Sequence, residues 1–129
     1  MDRPRVLVAI EPYSYREALA SAICELRPRF LVHPVEPADL DTLVAATRPA
    51  FVVCNRLSPV VRTHAGAWLL LSPLGEDRAI LGAGGREQSL PSTDLAAVVT
   101  ALDAALDQVA PLHGVNADPG APRVAGPTR

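Results

Sequence analysis

The chain has 129 residues, 49% of them hydrophobic, and a formal net charge of −2. This length suits one domain with a single hydrophobic core. All 12 basic residues are arginines scattered along the chain, so the composition excludes the basic patch that is typical of nucleic-acid-binding proteins. No run approaches the roughly 18 apolar residues that span a bilayer, and the first strand is too short for a signal peptide. We therefore expect a cytoplasmic protein with neither a nucleic-acid nor a membrane partner.

The cysteines and histidines point to no metal site. Cys24 and Cys54 form no CxxC pair, and the three histidines lie at no metal-ligand spacing. Both thiols should be reduced and buried, and Cys54, at the end of an apolar strand, should be inert. We expect no metal ion and no cofactor.

The first half of the sequence alternates apolar strands with amphipathic helices. Three apolar runs predict buried strands, at residues 6–10, 30–33 and 51–54. The first helix should start at a capping box over residues 14–17 and end at Pro28, and the second should run from Pro37 to Arg48. Right-handed crossovers would then give a parallel sheet with central strand order 2-1-3.

The connection between the third and fourth strands lacks the helical pattern of the first two. Residues 56–67 show no good helical face, so we expect the helix of this connection to be shortened or replaced by a loop. A fourth strand is predicted over residues 68–72.

The segment after the fourth strand allows two interpretations. Residues 76–82 could form a short helix. Alternatively, residues 74–77 form a turn, residues 78–81 return as an antiparallel strand, and Gly84-Gly85 turns the chain into a strand over residues 86–90. The spacing is tight for a helix with its two loops, so the sequence favours the hairpin.

The last helix is predicted by its cap and its apolar stripe. Residues 92–94 supply capping side chains, and the stripe runs from Leu95 to Val109. Residues 111–129 are rich in proline and glycine without periodicity, which predicts a disordered tail. We therefore expect a single domain over residues 1–110.

Over residues 5 to about 109 the pattern resembles the response-regulator receiver family. The first strand ends in an acidic residue, Glu11. The fourth ends in a hydroxyl residue, Ser72, and Leu90-Pro91 lies where that family has lysine and proline. The resemblance implies an α/β three-layer sandwich of flavodoxin-like type with strand order 2-1-3-4-5. We expect an antiparallel hairpin at one edge of its parallel sheet.

The phosphorylation residues of the receiver family are mostly missing. Its acidic pair is reduced to Glu11, which Pro12 follows, and one carboxylate is a poor magnesium site. Cys54 or Asn55 stands where the acceptor aspartate would be, and Leu90 replaces the lysine. We therefore expect a protein-interaction or regulatory module without catalytic activity, whose protein partner the sequence does not identify.

The alternative function is small-ligand binding, or catalysis, at the carboxyl edge of the sheet. Ligands of open parallel sheets bind beyond this edge, where Glu11, Asn55 and Arg56 could converge on a polar group. A purely structural interpretation is favoured: Glu11 pairs with Arg56 or Arg16, and Asn55 ends its strand in a turn.

Three aromatic residues are candidates for partner contact: Tyr13, Tyr15 and Trp68. For Tyr13, packing on the first helical turn is an equally good interpretation. With the fourth helical crossover weak or absent, the sheet near Trp68 to Leu71 and Ile80-Leu81 should expose an apolar patch, which predicts a homodimer through the hairpin or residues 56–67. In the alternative, residues 56–67 fold over the sheet and close the core of a monomer.

Overall fold

The computed structural model describes residues 3–71, 78–90 and 92–109, with side chains as far as residue 106 in the last helix. The strands are β1 (Arg5–Ala9), β2 (Leu31–Pro34), β3 (Phe51–Cys54), β4 (Ala67–Leu71), β5 (Ala79–Ala83) and β6 (Arg86–Leu90). The helices are α1 (Tyr13–Leu26), α2 (Leu40–Thr47), α3 (Pro59–His64) and α4 (Leu95–Val109), with a 3-10 turn over Pro37–Asp39 before α2.

The six strands form one mixed sheet in the order β2-β1-β3-β4-β5-β6. Strands β2, β1, β3 and β4 are parallel neighbours, whereas β4, β5 and β6 are antiparallel. Gly84 and Gly85, with φ of 60° and 79°, form the two-residue turn between β5 and β6. Both angles are positive, as the primed turns of tight hairpins require. The predicted strand order and the hairpin are confirmed.

Two separate cores lie on opposite faces of the sheet, since neighbouring strand residues alternate between them. One contains Leu19 and Ile23 of α1 with Val98 and Leu102 of α4. The other lies beneath α2 and α3 and contains Leu40, Val44 and Val61. The fold is α/β, and this arrangement is compatible with a three-layer α/β architecture.

The structure corrects the predicted start of the first helix. Helix α1 begins at Tyr13, before the predicted capping box, and no side chain caps it. The Pro12 carbonyl accepts a hydrogen bond from the Arg16 N–H, so the first turn closes ahead of Ser14. Residues 56–67 contain the six-residue helix α3, so the expected third crossover helix is shortened and not replaced by a loop. Its N-cap is Ser58, whose side chain accepts a hydrogen bond from the Val61 N–H.

The predicted open sheet face near Trp68 is wrong. Trp68 is only 6% exposed and lies in the core beneath α2 and α3. Leu57, Val60 and Val61 pack into that same core. Residues 56–67 thus close the core as the alternative interpretation expected, so Trp68 offers no exposed contact surface. The predicted homodimer is therefore no longer supported by an exposed apolar patch near Trp68, and it stays a prediction.

Some predicted features lie outside the described residues: Ser72, the turn over residues 74–77, and the tail over residues 111–129. Among the helices that the structure describes, none combines the length and the apolar character needed to cross a membrane.

Candidate functional site

A cleft opens beyond the carboxyl ends of β1 and β3, between the segment that enters α2 and the segment that enters α3. We call it the carboxyl-edge cleft. Its polar lining is Glu11, Glu36, Asp41, Asn55, Arg56 and Ser58. The structure therefore brings the three predicted ligand-binding candidates, Glu11, Asn55 and Arg56, to one surface. The topology explains this convergence, because parallel neighbours end at the same edge of a sheet.

Asn55 connects the ends of three adjacent strands. Its Oδ1 accepts a hydrogen bond from the backbone N–H of Glu11, just beyond β1, at 2.5 Å. Its Nδ2 donates to the carbonyl oxygen of Leu71, the last residue of β4, at 3.2 Å. Asn55 itself directly follows β3, so its side chain spans the edge from β1 to β4. Both functional groups of the amide are used within the fold.

Arg16, named from the sequence only as a possible partner of Glu11, is a central residue of this edge. It is 2% exposed, and its Nη2 lies 3.0 Å from Glu36 Oε2. Its Nη1 donates to the Val35 carbonyl oxygen at 3.3 Å and lies 3.7 Å from Glu11 Oε2. The Tyr13 ring lies 5.0 Å from the guanidinium carbon, within the range of a cation–π contact. Arg16 thereby balances the two carboxylates that border the cleft.

The pairing of Glu11 with Arg16 supports the structural interpretation of this carboxylate. Arg56, in contrast, is exposed at the rim of the cleft. A cation at this place can attract an anionic group, whereas Arg16 is enclosed by its own contacts. Arg56 is therefore the cleft residue best placed to meet a ligand.

The far wall of the cleft is also built from internal contacts. Ser58 Oγ donates to Asp41 Oδ1 at 2.6 Å while accepting the Val61 N–H at 3.1 Å. This arrangement joins the first turn of α2 to the start of α3. The Ser58 hydroxyl therefore serves both as the cap of α3 and as the link to Asp41.

Cys54 lies at the base of the cleft and is buried. Desolvation by burial raises the pKa of its thiol to about 12, and a backbone hydrogen bond from Arg56 only partly opposes this shift. Since the thiolate is the nucleophilic form, Cys54 is unreactive near neutral pH. Among the described residues, no group of three or more His, Cys, Asp or Glu side chains is placed to hold a metal ion.

The aromatic contact candidates fall into two classes. Tyr13 is 62% exposed and Tyr15 is 40% exposed, both on the first turn of α1. Trp68 belongs instead to the core, with the Arg62 guanidinium 5.3 Å from its ring centroid. Tyr13 lies on the same surface as Glu11, Arg16 and Glu36, so the first turn of α1 borders the carboxyl edge.

Comparison of the chain with protein-family models, with curated proteins and with solved structures gives no match. Inference about function therefore rests on the residues and their geometry.

Proposed function

We propose that this protein is a flavodoxin-like, receiver-like interaction or regulatory module that does not accept a phosphoryl group and has no catalytic activity. The observation that carries the proposal is the position and bonding of Asn55. It follows β3, where a receiver has its acceptor aspartate, and its amide bonds to Glu11 and Leu71. An amide cannot form an acyl phosphate, and this one already acts as a structural connection.

The surroundings of Asn55 support the same proposal. Glu11 is the only acidic residue left from the receiver pair, and its carboxylate lies beside Arg16. Leu90, in the place of the receiver lysine, packs against the core. A phosphoryl group at this edge would lack both the metal ligands and the lysine that neutralise it in receivers.

The contact surface that we assign to this module is the first turn of α1. Tyrosine side chains combine a large apolar area with a hydroxyl group and are enriched among the residues that dominate interface energetics. Tyr13 and Tyr15 are exposed there, and Tyr13 is positioned by its contact with buried Arg16.

Phosphorylation is tested by intact-mass measurement after incubation with acetyl phosphate and magnesium. We expect no added phosphoryl group, while a phosphorylatable receiver in a parallel reaction gains one. A phosphorylated fraction of this protein comparable to that of the control would overturn the proposal.

The contact surface is tested by quantitative affinity capture from native lysate with Tyr13→Ala, Tyr15→Ala and Leu26→Ala as separate baits. Leu26 is the matched control because it is an apolar residue, 47% exposed, at the opposite end of α1. We expect the tyrosine variants to lose proteins that the wild type and Leu26→Ala retain. An identical set of captured proteins for all baits would contradict the assignment.

A second candidate function is small-ligand binding in the carboxyl-edge cleft. The observation that favours it is the convergence of Glu11, Asn55 and Arg56 on one surface. A ligand at a hundredfold its dissociation constant would stabilise the protein by about 2.7 kcal/mol, which a thermal-shift screen of metabolites detects. We expect Arg56→Ala to abolish any such shift. A screen without stabilisation would leave the interaction module as the better proposal.

A further inference from the structure

We propose that the free edge of β6 pairs with β6 of a second copy of this chain, antiparallel, with Gln88 opposite Gln88 at a two-fold axis. The sheet would then continue through both copies. This inference is independent of the proposed function, whose contact surface lies on α1. Failure of one does not affect the other.

The two outer strands of the sheet, β2 and β6, differ in how well they are protected against pairing with a further strand. Strand β2 has only four residues and ends in Pro34, and short strands and proline both discourage pairing at an edge. Strand β6 has five residues, contains no proline, and pairs with β5 in continuous register without a bulge. Its first four residues are exposed, and no other strand in the described part of the chain lies beyond it. Within the described residues, the outer edge of β6 is therefore open to pairing.

The hairpin determines which backbone groups of β6 face outward. Ala83 and Arg86 flank a two-residue turn, so they form the first hydrogen-bonded pair of the ladder. Such pairs alternate with non-hydrogen-bonded pairs in antiparallel strands. Gln88 and Leu90 consequently bond to β5, whereas the N–H and C=O groups of Glu87 and Ser89 point away from the sheet.

A second copy satisfies these outward groups in one particular register. With Gln88 at the axis, Glu87 lies opposite Ser89 of the other copy, and Ser89 opposite Glu87. Both pairs are hydrogen-bonded, so every outward donor and acceptor of the strand is used. A shift of the axis to Glu87 would set two carboxylates against each other, which is unfavourable. The outward backbone groups of β6 thus match those of a second β6 strand in this register. We therefore assign this edge to a second copy of the chain and not to a strand of a different protein.

The charges of β6 are compatible with this register. Glu87 is neutralised within its own copy by Arg62, with an Arg62 Nη1 to Glu87 Oε2 distance of 2.6 Å. Arg86 would face Leu90 of the other copy, and no two like charges lie directly opposite each other.

The oligomeric state tests the pairing. We expect light scattering at high micromolar concentration to give twice the chain mass of 13.6 kDa. Ser89→Pro removes an outward N–H without removing a bond to β5, and we expect it to yield the 13.6 kDa monomer. Ser89→Ala keeps the N–H and should remain dimeric. A wild type that is monomeric at every concentration would overturn the proposal, as would a folded Ser89→Pro that stays dimeric.

A cysteine scan tests the register without relying on a proline. In a Cys24→Ser background, we expect Gln88→Cys to form an intermolecular disulfide, since non-hydrogen-bonded partners lie about 4.5 Å apart at Cα, within disulfide range. Arg86→Cys is the control, because the two copies of residue 86 would lie far apart in this register. Faster crosslinking at position 86, 87 or 89 than at 88 would refute it.

Discussion

The indole ring of Trp68 lies directly against the backbone of Gly82, its partner in the adjacent strand. A Cβ at position 82 would stand 2.2 Å from the ring atoms Cε2 and Cζ2. No side chain fits in that space while Trp68 keeps its place in the core. Gly82 is therefore required by packing against Trp68, whereas at Gly84 and Gly85 it is the positive φ angle that favours glycine.

Gly82→Ala should destabilise the protein by about 1–3 kcal/mol, because the added methyl group forces the Trp68 ring or the strands to move. Urea denaturation followed by Trp68 fluorescence measures this loss, and Trp68 is the only tryptophan in the chain. The control is Gly84→Asn, since asparagine tolerates positive φ and no atom lies within 4 Å of the added Cβ. Equal stability of wild type and Gly82→Ala would contradict the packing argument.

Asn55→Ala should lower the free energy of unfolding by about 1–3 kcal/mol. The substitution removes both hydrogen bonds that join the ends of β1 and β4, and it leaves the Leu71 carbonyl without this donor. Chemical denaturation measures the effect. Arg56→Ala, at the exposed neighbouring position, should change stability by less than about 0.5 kcal/mol. If the two variants were equally stable, Asn55 would not serve as a structural connection.

The ion pair between Arg27 and Asp103 should make stability depend on pH. Arg27 Nη2 lies 2.6 Å from Asp103 Oδ2 and links the C-terminal end of α1 to α4. The side-chain hydrogen bond from Arg27 lowers the pKa of Asp103 below its ordinary value. A carboxyl with a lowered native pKa stabilises the fold above its ordinary pKa, and this contribution disappears as the pH falls through the native pKa.

We therefore expect Asp103→Asn to be less stable than wild type at neutral pH, with a difference that shrinks as the pH falls below the ordinary pKa of a carboxyl group and through the lowered native pKa. Urea midpoints of both proteins across this range measure the dependence. The pair is partly exposed, so the difference should be small. A difference that grows on acidification would contradict the assigned pKa direction.

The two thiols should differ in reactivity. The expectation that both thiols are buried is wrong for Cys24, which is exposed, whereas burial raises the pKa of Cys54 to about 12. In the native protein we expect a disulfide reagent to modify one thiol rapidly, and the second only after unfolding. Cys24→Ser should abolish the fast phase, and Cys54→Ser should leave it unchanged. Rapid modification of Cys54 in the folded Cys24→Ser variant would show that this thiol is accessible.

The sequence was most informative where one local rule decides the structure. Continuous apolar runs predicted β1 and β3, and Gly84-Gly85 predicted the hairpin turn, because each signal lies within a few residues. The sequence left open whether the third crossover holds a shortened helix or a loop, since the six residues of α3, Pro59–His64, are too few to display a helical period. Its signal was the combination of Ser58 as a cap and Pro59 at the first helical position.

The burial of Arg16 could not be predicted from the local sequence pattern. On the sequence Arg16 is one charged residue in a helix, where exposure is the usual outcome. Its burial depends on Val35 and Glu36, which the β2–α2 connection brings from a distant part of the chain. Likewise, the grouping of Glu11, Asn55 and Arg56 followed from parallel topology, but their separate bonds depend on side-chain placement.

The mixed sheet has a consequence for the order of folding. Strands β4, β5 and β6 are consecutive in the chain, so their pairing closes short loops, beginning with Ala83 and Arg86 on either side of the turn. The parallel half joins more remote segments, such as Val6 with Phe51, and each pairing encloses at least one whole helix. Loop-closure entropy delays such distant contacts. The antiparallel meander can therefore nucleate early and give β3, and then β1 and β2, an edge on which to assemble.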